Sequence, residues 1–334
     1  MPRALVIPAP GSLGLEEVDR LVPGPGEVVA RPLYVGICGT DLELLAGVVD
    51  PAYVRYPLIP GHEWSGVVEV TGPGVTALSP GQHVIAEGIV PCRVCASCVR
   101  GLTNLCETYD ELGFTRAGAA ADQVLVPAQL VHPLDDSVNL VVAALAEPAA
   151  VAWRGIGRGK PRPGERVAVV GDGTVALTAA HLLALFSPAE LVVFGQRPAQ
   201  AGLAIALGAM AFETETGPDP MGFDLVVEAA GTASAVERAF GLARRGGRVV
   251  LLGLAGHDVR AQFPVDDAVN NDLAILASFG YTSAAFGEVA ALLRTGQIRL
   301  GPLVTHRFAL EKYTDAYEAL RSGTGVRGKV MLEL

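Results

Sequence analysis

Four cysteines crowd into one short segment, and this cluster limits the possible fold more than any other feature of the sequence. They are spaced C-x2-C-x2-C-x7-C, at Cys92, Cys95, Cys98 and Cys106, and the chain has only five cysteines. Four thiolates in one short lobe form the tetrahedral shell of a structural zinc site, which contributes folding energy directly. The spacing therefore predicts a small lobe closed around a zinc ion, with a disulfide framework as the alternative.

The fifth cysteine stands apart and suggests a different kind of metal site. Cys38 is followed by Gly39-Thr40-Asp41, and a Gly61-His62-Glu63 sequence comes some twenty residues later. A soft thiolate, an imidazole and nearby carboxylates suit an open zinc site that leaves a position for substrate. One closed site beside one open site predicts a zinc enzyme.

Composition narrows the class of protein. The 334 residues favour two domains, and half of them are apolar, which allows a large core. The net charge is −10 and no run of Lys and Arg exceeds two residues, so we expect no nucleic-acid partner. The sequence has neither a useful secretion signal nor an apolar stretch long enough for a membrane span. We expect a cytoplasmic protein with reduced, metal-bound thiols.

The first part of the chain reads as β-rich. Residues 27–35, 64–70 and 82–86 have the patterning of half-buried strands, and Gly-Pro and Pro-Gly pairs mark the turns between strands. Short strands with this punctuation predict a compact barrel over residues 1–150.

The pattern changes near residue 150, where strand and helix signals begin to alternate. This spacing is typical of βαβ units around a parallel sheet, and it predicts an α/β domain over residues 151–275. Residues 276–334 are expected to rejoin the first domain, with helices near 284–294 and 311–321 and a last strand at 328–333. In the α/β part, strands are predicted at 165–170, 191–194, 223–228 and 248–252, and helices at 174–186, 199–207 and 233–243.

A glycine-rich loop follows the first of these strands. Gly171-x-Gly173-x-x-Ala176 has the spacing of a dinucleotide-binding turn, and a pyrophosphate would lie on the helix N-terminus that it opens. Asp172 is unexpected in such a loop, because a carboxylate repels phosphate unless it points away. The residues predicted to contact the dinucleotide here are Gly171, Asp172, Gly173, Thr174 and Val175.

The residues at the end of the second α/β strand determine whether NAD or NADP is preferred. An NAD site has an acidic residue there, whereas this chain has Gly195-Gln196-Arg197. Small Gly195 leaves room, and Arg197 can pair with a 2′-phosphate. The sequence therefore predicts NADP(H), with NAD(H) the less favoured cofactor. The alternative is that Arg197 is only a solvated residue at a helix start.

These motifs, taken in order, give the chain a resemblance to the medium-chain zinc alcohol dehydrogenases that covers essentially its whole length. The resemblance implies a β-rich, GroES-like catalytic domain joined to a Rossmann coenzyme domain. It also implies two zinc ions per chain, and a homodimer or homotetramer. The motifs that carry it are Cys38-Gly39-Thr40-Asp41, Gly61-His62-Glu63, the four-cysteine lobe, Glu147-Pro148, the Gly171 loop and the C-terminal Thr305-His306-Arg307-Phe308 and Lys329-Val330.

The resemblance also implies roles for single residues. Cys38 and His62 would bind the catalytic zinc, with Glu147 at the position of the third ligand. Glu63 matches a nearby carboxylate that can enter the zinc sphere, which leaves open whether Glu63 or Glu147 is the direct ligand. The remaining histidines are expected to be structural or exposed: His83, His132, His181, His257 and His306.

The proton pathway is expected to begin at Thr40, which would hydrogen-bond the substrate oxygen, while Asp41 would orient the imidazole of His62. Several family members carry a histidine where this chain has Glu43, so the pathway either ends at a carboxylate or is shorter. Some sugar dehydrogenases look similar at this point. Glu87 is predicted to add an acceptor for substrate hydroxyls.

The expected reaction is hydride transfer between NADP(H) and a secondary alcohol or ketone, with a polyol, a sugar or an aminocyclitol as the small-molecule substrate. Zinc acts in such a site as a Lewis acid on the substrate oxygen, and the cofactor carries the hydride. Two alternatives stay open: a zinc-free quinone or enoyl reductase of the same fold, and a non-enzymatic NADPH-binding protein.

Overall fold

A computed structural model describes residues 1–214, 222–256, 258–322 and 325–334, so His257 lies outside the described residues. The strands of the described residues are β1 (Arg3–Val6), β2 (Gly14–Glu17), β3 (Glu27–Ile37), β4 (Glu63–Thr71), β5 (His83–Ala86), β6 (Val124–Pro127), β7 (Val131–Pro133), β8 (Arg166–Val170), β9 (Glu190–Gly195), β10 (Ala211–Thr214), β11 (Phe223–Glu228), β12 (Ala243–Leu251), β13 (Ala274–Ala277), β14 (Val304–Ala309) and β15 (Lys329–Glu333). The helices are α1 (Gly39–Ala46), α2 (Ala96–Val99), α3 (Leu140–Ala143), α4 (Ala146–Gly159), α5 (Thr174–Ala184), α6 (Ala201–Ala206), α7 (Ala233–Leu242), α8 (Val265–Asn270), α9 (Ser283–Arg294) and α10 (Tyr313–Ser322).

The α/β part is a doubly wound parallel sheet, as predicted. Six strands lie in the order β10-β9-β8-β11-β12-β13, and all of their pairings are parallel. Helices α4, α5 and α9 pack on one face of this sheet and α7 packs on the other, so that the central strands are buried on both sides. Strand β8 runs directly into the glycine-rich loop, which places that loop at the carboxyl edge of the sheet.

The β-rich part has a seven-stranded sheet in the order β14-β15-β3-β4-β5-β7, with β6 paired to β3, and a separate two-stranded sheet of β1 and β2. The C-terminal strand β15 lies antiparallel to β3, so the end of the chain rejoins the first part as expected. Trp64 is 2% exposed in the core of this sheet, which is the structural role that its apolar neighbours favour. The domain boundaries predicted at residues 150 and 275 remain a proposal.

Helix α4 is missing from the sequence-based assignment because its composition argues against a helix. Pro148 lies in its first turn, where the missing backbone N–H has no helical partner to lose. Two of its three glycines allow close packing. A Cβ at Gly155 would lie 2.2 Å from a Leu252 side-chain carbon, and one at Gly159 would lie 2.8 Å from Leu225. The helix therefore sits directly on the parallel sheet, and its first turn faces the other sheet's metal-binding residues.

Gly61 shows how the fold positions a predicted ligand. Its φ is +102°, which favours glycine, and a Cβ there would lie 2.7 Å from the backbone nitrogen of Ala120. The chain can therefore turn sharply against the neighbouring segment and enter β4 with His62 and Glu63 at its start. Among the described residues, no helix is long and apolar enough to cross a lipid bilayer.

Candidate functional site

The residues predicted to hold a catalytic metal come together at the ends of two adjacent strands. Cys38 follows β3 and lies at the N-cap of α1, while His62 precedes β4. The Cys38 Sγ and the His62 Nε2 are 3.3 Å apart. Ligand atoms of Cys38, Asp41 and His62 all lie within 4.8 Å of one another. A thiolate and an imidazole are thus already placed as two ligands of one ion.

Two carboxylates complete the cluster from other elements. Ligand atoms of His62, Glu63 and Glu147 also lie within 4.8 Å of one another, and Glu147 projects from the first turn of α4. Glu63 faces Gly36 across the β3–β4 pair, where a Cβ would lie 2.4 Å from its carboxylate. Gly36 therefore makes the space that lets Glu63 reach the cluster.

Lys329 at the start of β15 is the cation that balances one of these carboxylates. Its Nζ lies 2.6 Å from the Glu63 carboxylate, and both side chains are almost fully buried. Burial alone would lower the pKa of Lys329, but the charge of Glu63 raises it above its ordinary value. An ion pair of this kind holds Glu63 in place between the lysine and the cluster.

Burial dominates the electrostatics of the remaining groups. It raises the pKa of the Cys38 thiol and of the Asp41 carboxyl, and it raises the pKa of Glu147 to about 8. For His62, burial lowers the pKa, but Cys38 and Asp41 together raise it well above its ordinary value. In the protein alone, burial therefore opposes the anionic forms of Cys38, Asp41 and Glu147, and a bound cation would be needed to stabilise them.

The donor set fits zinc. A soft thiolate, an imidazole and a carboxylate are the ligand types that Zn²⁺ takes in catalytic sites. A divalent cation would favour the deprotonated forms of Cys38 and Glu147 that burial disfavours. The residues that would hold the ion are Cys38, His62 and Glu147, with Glu63 close enough to exchange with Glu147.

The expected hydrogen bond between Asp41 and His62 is not made in this structure and stays a prediction. The Asp41 carboxylate accepts a hydrogen bond of 2.8 Å from the backbone N–H of Cys38, which also caps α1. Its Oδ1 and the His62 Nδ1 are both buried without a partner among the described residues. These two atoms are a complementary acceptor and donor.

The two residues predicted to move the substrate proton lie on α1. Thr40 is half-buried on the first turn, two residues after the predicted zinc ligand Cys38. Glu43 is exposed, one turn further along the helix. Both a pathway that ends at Glu43 and a shorter one stay open, and the role of both residues stays a prediction.

The four-cysteine lobe has the geometry of a second, closed site. One ligand atom from each of the four cysteines lies within 4.8 Å of the other three. Backbone N–H groups also point at the sulfurs: that of Cys95 lies 3.3 Å from Cys92 Sγ and that of Cys92 lies 3.2 Å from Cys106 Sγ. The backbone donors help lower the pKa of Cys92 to about 6, which favours the thiolate that zinc requires.

The glycine-rich loop has the shape that a pyrophosphate needs. Gly171 has a φ of +124°, and a Cβ there would lie 3.0 Å from the backbone of Ala229. Thr174 and Val175 form the first turn of α5, whose free N–H groups face the loop. Ala176 is fully buried against the sheet. The loop can therefore hold a dinucleotide as predicted.

The residues at the end of β9 lie beside this loop. A Cβ at Gly195 would lie 2.7 Å from the Asp172 Cβ and 2.5 Å from the Phe212 ring, so this position has no space for a side chain. The backbone N–H groups of Gln196 and Arg197 both donate to Asp172. Asp172 therefore points away from the phosphate position, and its presence in the loop does not oppose binding.

Sequence reasoning missed Glu111, which lies close to the metal cluster. Glu111 is 9% exposed, its backbone bridges to Ile89, and its carboxylate accepts a hydrogen bond from the Tyr109 hydroxyl. Burial raises the pKa of Glu111 while the charge of His62 lowers it, and the ring centroid of Phe114 lies 5.2 Å from that of the His62 imidazole. Glu111 belongs to no short motif, so only the fold reveals it.

Glu87 requires a correction, because it is not free to bind substrate hydroxyls. Ser283 Oγ donates to one of its oxygens at 2.5 Å, and the His132 Nε2 lies 3.1 Å from the other. Glu87 is 2% exposed and therefore ties β5 to β7 and to the start of α9. Its role is structural, as is that of His132, which was predicted to be structural or exposed.

Comparison with known proteins supports this assignment. A profile for the alcohol dehydrogenase GroES-like domain matches residues 24–136, and a profile for zinc-binding dehydrogenases matches residues 173–295. L-threonine 3-dehydrogenase from Pyrococcus furiosus is 31% identical to the chain, over 96% of this chain and 94% of its own length. The chain belongs to the medium-chain zinc alcohol dehydrogenase family.

Other members of the family share the same architecture. D-arabinitol dehydrogenase 1 from Uromyces fabae is 27% identical over 96% of this chain and 94% of its own length. A protein assigned as a zinc-binding dehydrogenase from Sinorhizobium meliloti, solved with NADP bound, superposes with a TM-score of 0.93 at 27% identity. That superposition covers 100% of this chain and 99% of the other chain. The chain therefore shares its two-domain fold with that structure over its whole length.

Replacing Cys98 with serine tests the closed site of this zinc dehydrogenase. Because a four-thiolate site contributes folding energy, we expect the variant to bind one zinc fewer per chain and to melt lower by about 5 °C or more. Metal analysis and thermal denaturation measure both effects. Ser97→Ala, on the same short helix, is the matched control and is expected to leave both values unchanged. An unchanged zinc content and melting temperature in Cys98→Ser would contradict a structural zinc role.

Proposed function

We propose that this chain is an NADP(H)-dependent zinc dehydrogenase that interconverts a secondary alcohol and its ketone, with a polyol, sugar or aminocyclitol as substrate. The observation that carries the proposal is the meeting of two overlapping groups of possible ligands at the buried His62: Cys38 and Asp41 on one side, Glu63 and Glu147 on the other. A protein that only bound NADPH would have no need to bury these groups together, since each is costly without a metal.

The protein's own residues account for the positioning and the proton transfer. Zinc, when bound, supplies Lewis-acid polarisation of the substrate oxygen. Thr40 follows the ligand Cys38 and would accept the substrate proton, and the helix that carries it is fixed by its cap at Asp41. The glycine-rich loop would hold the dinucleotide so that its nicotinamide reaches the same cleft.

The preference for NADP(H) rests on the residues beside the dinucleotide loop. The acid that would accept hydrogen bonds from the ribose of NAD is replaced by Gly195, and Asp172 and Phe212 leave no space for one. Arg197 follows two residues later, and a guanidinium suits a phosphate dianion. This combination favours a cofactor that carries a 2′-phosphate.

A polar substrate is supported by the carboxylate of Glu111. The cleft next to His62 is otherwise aromatic on this side, with Phe114 against the imidazole and Tyr109 against Tyr53. A carboxylate beside a catalytic metal suits a substrate with hydroxyls next to the reacting carbon, because each hydroxyl can donate to it. The similarity to D-arabinitol dehydrogenase 1 supports the same substrate class.

Metal analysis combined with a cofactor and substrate screen tests the proposed function. We expect two zinc ions per chain, turnover of a polyol, and a higher kcat/KM with NADP+ than with NAD+. Cys38→Ser should lose the catalytic zinc and at least about a thousandfold in kcat, because Lewis-acid stabilisation is worth several kcal/mol. Retained NADPH binding, followed by fluorescence, serves as the control for folding.

Two results would overturn this proposal in different ways. Reduction of quinones or enones by NADPH in protein with one zinc or none would identify a zinc-free reductase. Binding of NADPH without turnover of any alcohol or carbonyl would identify a non-enzymatic protein.

Replacing Glu111 with glutamine tests the substrate class. Hydrogen bonds to a charged group contribute about 1.5–3 kcal/mol, so we expect KM for the best polyol to rise about tenfold or more. Turnover of a simple secondary alcohol should change by less than about threefold, since it has no second hydroxyl to lose. Glu107→Gln, an exposed neighbour, is the matched control. Equal effects on polyol and simple alcohol would contradict a role for Glu111 in polyol recognition.

We further propose that the protein assembles into a homo-oligomer, a dimer or tetramer, through β13. This strand forms one edge of the six-stranded sheet, so one row of its backbone groups is open to pairing. Exposed apolar side chains lie on it and in the preceding segment, including Ile275 at 41% exposure, Val269 and Val265. Edge pairing with a second copy would cover both features.

Light scattering on wild type and Ile275→Lys tests this assembly. We expect the wild type to run as a dimer or larger, and the lysine variant to run at a smaller mass, because a charge on the edge strand opposes pairing. Val22→Lys changes an exposed apolar residue far from β13 and should leave the mass unchanged. A monomeric wild type would contradict the proposal.

The compartment follows from the thiols. All five cysteines are free of disulfides, although four of them lie close together. Free thiols held for metal binding suit a reducing environment, and we propose that the protein works in the cytoplasm.

A further inference from the structure

Asp172 is the residue of the glycine-rich loop that neither the loop's usual chemistry nor the proposed reaction explains. Its Oδ2 accepts hydrogen bonds from the backbone N–H groups of Gln196 at 3.0 Å and of Arg197 at 2.8 Å. Its Oδ1 accepts from the Arg197 side chain, at 3.1 Å from Nε and 2.7 Å from Nη2. A carboxylate has about four lone-pair sites, and these four hydrogen bonds use all of them.

The saturation of Asp172 decides what it can do for a dinucleotide. It has no lone pair left for a ribose hydroxyl, so it does not replace the missing acid of an NAD site. It instead fixes the Arg197 guanidinium on one edge, and the Asp172 carbonyl accepts a further hydrogen bond of 2.9 Å from Nη2. The Nη1 of Arg197 is buried and, among the described residues, has no hydrogen-bond partner. The Arg197 Nη1 is therefore a fixed, positively charged hydrogen-bond donor beside the glycine-rich loop.

A second arginine comes from the other domain. Gln200 is fully buried and its side-chain amide donates to the carbonyls of both Asp172 and Arg327, each at 2.8 Å. The backbone N–H of Arg327 donates to the Gln200 Oε1 at 3.0 Å. The Arg327 guanidinium donates through Nη1 to the Leu320 carbonyl, and its pKa is lowered by burial and by the charge of Arg197. Gln200 thus ties the Arg327 backbone to the dinucleotide loop, and this region has two arginine cations for the one Asp172 carboxylate.

We propose that Asp172 is a positioning residue for the 2′-phosphate of NADP: it holds Arg197 in a bidentate ion pair so that Nη1, together with Arg327 from the other domain, binds that phosphate. This inference rests on the proposed NADP preference. Its physical basis is preorganisation, because a guanidinium that is already fixed loses little conformational entropy on binding. Asp172 adds no contact to the cofactor, and its contribution passes through Arg197.

Simple electrostatics predicts the opposite effect, which makes the idea testable. If Asp172 were only a nearby negative charge, removing it would strengthen phosphate binding. If it positions Arg197, removing its charge frees the guanidinium and weakens binding. The sign of the change in affinity therefore separates the two roles.

The experiment compares binding of 2′,5′-ADP and 5′-AMP to the full-length protein by titration calorimetry, since the two ligands differ only in the 2′-phosphate. For Asp172→Asn we expect the Kd of 2′,5′-ADP to rise about tenfold, as expected for the loss of charge-assisted hydrogen bonds, with the Kd of 5′-AMP within about twofold of wild type. Asp224→Asn is the matched control. Asp224 also pairs with arginines in the same domain, through the Arg166 backbone and the Arg244 side chain, but lies away from the loop.

A second variant distinguishes the loss of arginine positioning from simple misfolding. Arg197→Lys keeps the charge but cannot make the bidentate pair, and we expect it to weaken 2′,5′-ADP by a similar factor. In the double variant the two effects should not add, because Asp172 acts through Arg197. Independent, additive losses would contradict the positioning role.

The remaining outcomes separate this inference from the proposal on which it rests. If wild-type protein binds 2′,5′-ADP no better than 5′-AMP, the NADP preference is wrong and this inference fails with it. If wild type prefers 2′,5′-ADP but Asp172→Asn binds it equally well or more tightly, the NADP preference stands and the positioning role of Asp172 is wrong.

Discussion

Four buried acidic groups, whose anionic charges need a counter-ion, are the constraint on which the rest of this structure depends. Cys38, Asp41, Glu63 and Glu147 converge around His62, and within the described residues Lys329 is the cation that pairs with the cluster. Such charges are stable in a core only when they are paired or bind metal. The loops, glycines and helix starts around the cluster make sense as the means of holding these groups at metal-binding distance.

The same constraint explains why the two domains share one core region. Glu147 belongs to helix α4, which packs through Gly155 and Gly159 on the parallel sheet. Its partners belong to the other sheet. One predicted ligand is therefore carried by the element that supports the dinucleotide domain, so a metal bound there would join the two domains. A site built this way needs the fold of both domains before it can bind its ion.

The sequence predicted most of this architecture because its strongest signals are local. The strand-loop-helix at Gly171 and the spaced cysteines each follow from a few neighbouring residues, and the structure has both. Helix α4 was missed because proline and glycine lower helix propensity, while tertiary packing requires the glycines. Glu111 and Lys329 reach the cluster only through long-range folding, and a single charged residue gives no periodic signal of its burial.

The hydrogen-bond partners of buried polar side chains were the feature that the sequence predicted least well. Glu87 looks like a substrate acceptor in the sequence, yet Ser283 and His132 take both of its oxygens. Asp172 looks unfavourable in a phosphate loop, yet its hydrogen bonds all point to the end of β9. In both cases the partners lie far away along the chain. Whether the residue helps or opposes ligand binding therefore depends on contacts that only the fold supplies.

The turn before the last strand connects the two ligand sites within three residues. Arg327 meets the dinucleotide loop through Gln200, Gly328 accepts a hydrogen bond from Thr174 at 3.3 Å, and Lys329 reaches Glu63. Gly328 has no room for a side chain, since a Cβ would lie 2.0 Å from the carbonyl oxygen of Leu303. The length of this segment is therefore fixed. Shortening it by one residue would shift the register of β15 and present Val330 where the lysine ammonium belongs, so one short turn sets the spacing between the dinucleotide loop and the metal cluster.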